Sequence, residues 1–171
     1  QVITEAVDAC FNRAADSPAF FPGLNFAVPR DRYLACGGCD ESFGLLAAED
    51  RDFADRWNQS GGRQVRASDA VVIHAHRTDF GGFMRQYFNY GKGAWRYHSL
   101  RRSRRSGGFS DSLKLHTGLW KHTREPMRGL HPGMRAKVYF LLFAWELSNA
   151  AGFAWQASLE TAGRLFGWRK R

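Results

Sequence analysis

Apolar positions along the chain fall into two kinds of spacing. Ile3, Ala6, Val7, Cys10, Phe11 and Ala14 recur at helical intervals, and Ser17-Pro18 closes that segment. Phe20 to Val28 is short and apolar, is interrupted by Pro22-Gly23, and reads as a loop entering a buried strand. Pro29-Arg30-Asp31 opens a short helix through Leu34, because proline's fixed φ suits a first helical turn, and Gly37-Gly38 ends it. A further helix is expected from Ala48 to Gln59. Phe53 and Trp57 lie four apart on one face of it, and Gly61-Gly62 stops it. Gln64 to Ala67 alternates weakly. Ala70 to Ala75 is a β-branched apolar run that predicts a strand, with His74 and His76 at its C-terminal end.

A long helix is expected from Asp79 to Ser99, carried by Phe80, Phe83, Met84, Tyr87, Phe88 and Trp95, with Leu100 next in the series; Gly91 and Gly93 weaken its middle. Arg101 to Gly108 reads as a basic linker. Beyond it the pattern is helical only: Asp111 to His122, Gly133 to Asn149, and Ala151 to Trp168. This order predicts an α/β unit over residues 1–108 followed by a helical region over residues 109–171.

With 44% hydrophobic and 15% aromatic residues, the 171-residue chain can bury a core, which argues against disorder. The formal net charge of +9 favours anionic partners: nucleotide phosphates, nucleic acid or acidic lipid headgroups. Three cysteines argue against a disulfide framework and for a reducing cytoplasm. Cys36-Gly37-Gly38-Cys39 has no second pair to complete a zinc site and reads as a turn. Val138 to Trp155 is strongly apolar but contains Glu146 and Asn149, so a packed or interfacial helix fits better than a membrane span. Residues 1 to 15 read as the middle of a folded domain, so a preceding N-terminal portion is expected.

Six carboxylates crowd residues 40 to 55 of a basic chain: Asp40, Glu41, Glu49, Asp50, Asp52 and Asp55. Glu49 and Asp50 stand at an expected helix N-terminus, where free N–H groups and the helix dipole favour the ionised form. A base that takes a proton from a hydroxyl benefits from such fixed positioning. Simple charge complementarity at a helix start explains the same pair. Asp50-Arg51-Asp52 matches a metal–phosphate D-x-D pattern, but residues two apart on a helix point to different faces. His74 and His76 would share a strand face, and imidazole suits transition metals. Basic and aromatic residues interleave from Phe83 to His98. Arg85 and Lys92 are the candidates there for holding phosphates, and the aromatics for stacking. The run Arg101-Arg102-Ser103-Arg104-Arg105 could touch nucleic acid or anionic lipid.

Asn25-Phe26-Ala27-Val28-Pro29-Arg30, Gly37-Gly38-Cys39-Asp40-Glu41-Ser42-Phe43, and Ala48-Glu49-Asp50-Arg51-Asp52-Phe53 with Arg56 together resemble the second half of family 2 glycosyltransferases. The resemblance covers residues 17 to 100 and departs at Cys39, where an aromatic is usual. It implies an α/β fold, namely the C-terminal half of a GT-A (Rossmann-like) domain followed by an α-helical appendage. The nucleotide-binding half would precede this chain, so residues 1–171 alone should bind nucleotide sugar weakly and not turn over. The implied activity is inverting transfer from a nucleotide-sugar donor to a saccharide or lipid-linked acceptor. Asp50 is then the base, Glu49 supports the acceptor side, and Asp40, Glu41 and Asn25 line the acceptor site. His74, or His76 in a shifted register, is then the ligand of a divalent cation (Mn or Mg). The implied setting is the cytoplasm, at the inner face of the cytoplasmic membrane, with peripheral membrane contact. A basic nucleic-acid- or lipid-binding module, or a noncatalytic remnant of a transferase, are the alternatives. The carboxylate cluster argues against nucleic acid, since a phosphate-binding surface gains nothing from it.

Overall fold

The computed structural model describes residues 23, 25–44, 46–67, 69–72, 79–110, 113, 116–117, 120, 123–124, 126–165 and 167. Among them lie four α-helices: α1 (Arg30–Ala35), α2 (Glu49–Gln59), α3 (Phe80–Arg104) and α4 (Pro132–Leu165). A 3-10 turn, Glu41–Phe43, sits between α1 and α2.

The described residues contain no strand, which overturns the expected α/β, GT-A-like architecture. Residues 63–67 and 69–72 are non-helical and pair with nothing as a ladder. Val65, Val71 and Val72 stand exposed. A β-branched run becomes a strand only where neighbouring strands satisfy its backbone and cover its side chains. Neither condition is met here. The rest of the expected strand, residues 73–75, lies outside the described residues, as does the helix expected over residues 3 to 15.

Helices α3 and α4 form the larger packing unit. Phe80 stacks on Phe140, Tyr87 meets Trp145 edge-on, and Trp95 meets Phe153 edge-on. The Ser148 hydroxyl donates to the Met84 carbonyl at 2.7 Å. Partner numbers rise together along both helices, so α3 and α4 run parallel.

Glycine makes the crossing close. A Cβ at Gly91 would overlap the Asn149 carbonyl, and one at Gly152 would overlap the Phe88 carbonyl. Gly93, on the other side of α3, meets the backbone of Ala47 in the same way. The glycines expected to weaken α3 are therefore points of backbone-to-backbone contact. The break expected near Asn149–Ala151 is likewise absent, and one helix runs through to Leu165. The basic stretch from Arg101 is helical to Arg104 instead of a linker; the chain turns at Arg105, whose φ is +58°.

Helix α2 is the centre of the smaller unit. Fully buried Phe53 packs against Tyr33 at 5.0 Å, and against Phe26 and Trp57 at 6.1 Å each. After α1 the chain reverses through Gly37 (φ +80°) and Gly38 (φ +62°), a conformation open to glycine and costly for other residues. Cys36 and Cys39 are free thiols on this turn.

Replacing Gly152 by Ala should lower unfolding stability by about 1–3 kcal/mol, because forced overlap outweighs alanine's helix preference. Gly81→Ala, at an exposed first turn, should be neutral or mildly stabilising. Urea denaturation of both variants checks this; an unaffected Gly152→Ala would contradict the close crossing.

Candidate functional site

The six carboxylates divide by environment. Asp52 is 1% exposed and bonded to Arg56 at 2.9 Å and to Arg104 at 2.8 Å. Asp55 accepts from Arg104 at 2.9 Å and from the Ser106 hydroxyl at 2.8 Å, and pairs with Arg101 at 3.1 Å. Burial alone would lower the Arg104 pKa, but its bonds to Asp52 and Asp55 outweigh that and hold it above the ordinary value. Arg56 also donates to the carbonyls of Cys36 and Gly38, which ties the glycine turn to α2. Asp52 and Asp55 thus latch α2 to the end of α3. Two arginines of the basic run, Arg101 and Arg104, are engaged in this latch, while Arg102 and Arg105 remain exposed.

Asp40 caps the 3-10 turn. Its carboxylate accepts from the Ser42 amide at 2.9 Å and from the Ser42 hydroxyl. The Ser42 side-chain bond holds its pKa below the ordinary 3.8, with help from Arg96 and Arg56 and against partial burial. Arg96 reaches across from α3, donating to the Ser42 hydroxyl and lying over the Phe43 ring. Glu41, the first residue of the turn, is exposed.

Glu49 and Asp50 begin α2. Ala48 before them has φ +88°, left-handed, and is nearly buried, which costs about 1–2 kcal/mol for a residue with a Cβ. Packing of the neighbouring Ala47 backbone on Gly93 holds this strained loop. Asp50 accepts from the Gly23 amide at 3.0 Å and the Arg51 amide at 2.7 Å. Burial pulls the Arg51 guanidinium below its ordinary pKa, and the Asp50 carboxylate opposes that shift. Asp50 and Asp52 therefore serve different partners, and the D-x-D pattern does not act as a pair.

A cleft of about 680 Å³ opens between the loop before α2 and the first half of α3. Gly44, Leu46, Ala47 and Glu49 form one wall; Asp79, Gly82, Arg85, Gln86, Asn89 and Tyr90 form the other. Gln86 donates to the Tyr90 hydroxyl at 3.1 Å. Glu49 and Arg85 thus share the cleft; Asp50, the next residue of α2, does not line it, and its carboxylate lies against Gly23. Lys92 lies over the Phe88 ring and does not line the cleft. Asn25 donates to the Ala70 carbonyl at 2.8 Å, away from the cleft walls. His74 and His76 lie outside the described residues. Among those residues no three His, Cys, Asp or Glu side chains group to hold a metal ion. The polar wall on α3 had a signal in the sequence: Asp79, Gly82, Gln86 and Asn89 recur at intervals of three and four.

No protein-family profile, curated protein or solved structure matches this chain.

Breaking the latch should be costly. Arg56 and Arg104 keep 20% and 23% of their side-chain surface exposed, so Asp52→Ala should sit at the low end for a buried pair, about 3 kcal/mol. Arg102→Ala should change stability by less than about 0.5 kcal/mol. Urea titration of both decides; equal, small losses would show that the latch contributes nothing.

Proposed function

We propose that this chain carries the acceptor side of an inverting nucleotide-sugar transferase, with Asp50 as the general base. The observation that carries the reading is the Glu49–Asp50 pair in the first turn of α2, with Glu49 lining a polar cleft. Two N–H donors, from Gly23 and Arg51, orient the Asp50 carboxylate at the start of α2. Glu49, Arg85, Gln86 and Asn89 offer the mix of donors and acceptors that a hydroxyl-rich ligand needs. Of the three sequence stretches that resemble family 2 glycosyltransferases, the first two meet the third on α2, through the Phe26–Phe53 contact and the Arg56 bond to the Gly38 carbonyl.

In this reading Asp50 accepts the proton of an acceptor hydroxyl while that oxygen attacks the anomeric carbon. The bond to the diphosphate oxygen breaks on the opposite face, which inverts the configuration. Glu49 hydrogen-bonds the acceptor, and Arg85 offers positive charge to the departing diphosphate. A divalent cation would neutralise the leaving group; among the described residues no three His, Cys, Asp or Glu side chains group to hold one. Nucleic acid is the weaker partner, since Arg101 and Arg104 are already paired with Asp52 and Asp55.

The test uses the natural gene product that contains this chain, supplied with nucleotide sugars and with saccharide or lipid-linked acceptors. Asp50→Asn should lower kcat by about 10²- to 10⁴-fold and spare donor binding. Glu49→Gln should act mainly on the acceptor KM. Retained turnover in Asp50→Asn would reject the assignment.

A further inference from the structure

Helix α4 is mostly apolar over the roughly six turns from Val138 to Leu159, where Ser148, Asn149, Gln156 and Ser158 are the uncharged polar residues. Between Val138 and Leu159, Glu146 is the one charged residue, and its carboxylate is taken by His116 Nδ1 at 2.7 Å. One side of the helix, with Val138, Leu142, Trp145, Ser148 and Gly152, is buried against its neighbours. The opposite side presents Phe140 (59% exposed), Phe143 (58%) and Leu147 (54%), continued by exposed Ala151 and Ala154. At 1.5 Å per residue this stripe is about 21 Å long. Phe80, 50% exposed and stacked on Phe140 at 5.8 Å, widens it at the N-terminal end. A helix with apolar residues on two sides has two faces to bury, and α3 covers one.

The charges beside the stripe indicate what covers the other. Exposed Lys137 flanks it on one side at its N-terminal end and exposed Arg135, whose guanidinium also donates to the Leu130 and Arg128 carbonyls, on the other; exposed Arg128 lies on the segment leading into α4. A second copy of this chain would bring its own +9 charge to the same place. An anionic surface is complementary. No helix among the described residues is long and apolar enough to cross a membrane, so the fitting geometry is a helix lying in the plane of the surface. We infer that the Phe140–Phe143–Leu147 face of α4 docks peripherally on a bilayer rich in anionic phospholipid. Aromatic rings enter the headgroup–acyl boundary, and Arg135 and Lys137 meet the phosphates. Because Phe80 adjoins Asp79 in the cleft wall, docking brings the end of the cleft towards the lipid surface. The inference stands on the exposed face and its flanking charge, independently of the transferase reading.

The experiment is co-sedimentation of the full chain with vesicles of phosphatidylcholine, alone or with about one-third phosphatidylglycerol. Binding should require the anionic lipid. The triple variant Phe140→Ser, Phe143→Ser, Leu147→Ser removes side chains more than half exposed, Phe140 giving up its stack on Phe80, and should keep its helical circular dichroism. It should weaken binding at least about tenfold. Arg135→Glu with Lys137→Glu should also weaken it, and added salt should reproduce that effect. Equal binding by wild type and triple variant would overturn the inference. So would a wild-type dimer that the triple variant abolishes, with no binding to either vesicle, which assigns the face to a second copy.

Discussion

Three glycines set how closely the backbone of α3 is approached, and the remaining arrangement depends on that closeness. Gly91 and Gly93 are two residues apart, which on a helix places them on nearly opposite sides. Gly91 receives the Asn149 carbonyl of α4, and Gly93 receives the Ala47 carbonyl of the loop before α2. Gly152 repeats the device from the α4 side against Phe88. Any side chain at these positions would push one of the two partners away. The cleft is a consequence: its Gly44–Ala47 wall faces the Asp79–Tyr90 wall because the loop rests directly on the α3 backbone. The left-handed Ala48 marks the strain that this contact sustains.

The ion-pair latch fixes the same assembly at its other end. Asp52 and Asp55 hold Arg101 and Arg104, so the carboxylate cluster and the basic run largely answer each other. What first looks like two functional patches is mostly a single structural joint. With Asp52 and Asp55 held in the latch and Asp40 in the Ser42 cap, Glu49 is the member of the carboxylate cluster that lines the cleft, and Asp50 follows it in the first turn of α2. That sorting strengthens the case for chemistry at α2's N-terminus and weakens the case for nucleic-acid binding by the arginine run.

The sequence was most informative where local chemistry decides structure. Pro29 and Gly37-Gly38 bracket α1, and Gly61-Gly62 follows α2, within a residue of the expected bounds. It misled where tertiary contact decides. The valines at 71 and 72 carry strand propensity, but no described neighbour pairs with them. Gly91, Gly93 and Gly152 resemble weak points in a helix when read singly, and their use as contact surfaces emerges only once the partner backbone is known. The parallel course of α3 and α4 likewise leaves no local mark, because helical periodicity is the same in either direction. Within the candidate site, the position of Glu49–Asp50 at a helix start was legible from its charge and spacing. The engagement of Asp52 with Arg104 was not, since those residues are 52 positions apart.

The central claim is that the cleft beside Glu49 receives a hydroxyl-rich ligand. Amide chemical-shift mapping on the isotopically labelled chain tests it most directly, with a neutral oligosaccharide titrated against a short oligonucleotide. The account predicts saccharide-dependent shifts clustered at Gly44, Ala47, Glu49, Gln86 and Asn89, and little response there to the oligonucleotide. Saccharide that moves none of these amides, with oligonucleotide shifts centred on Arg102 and Arg105, would contradict it.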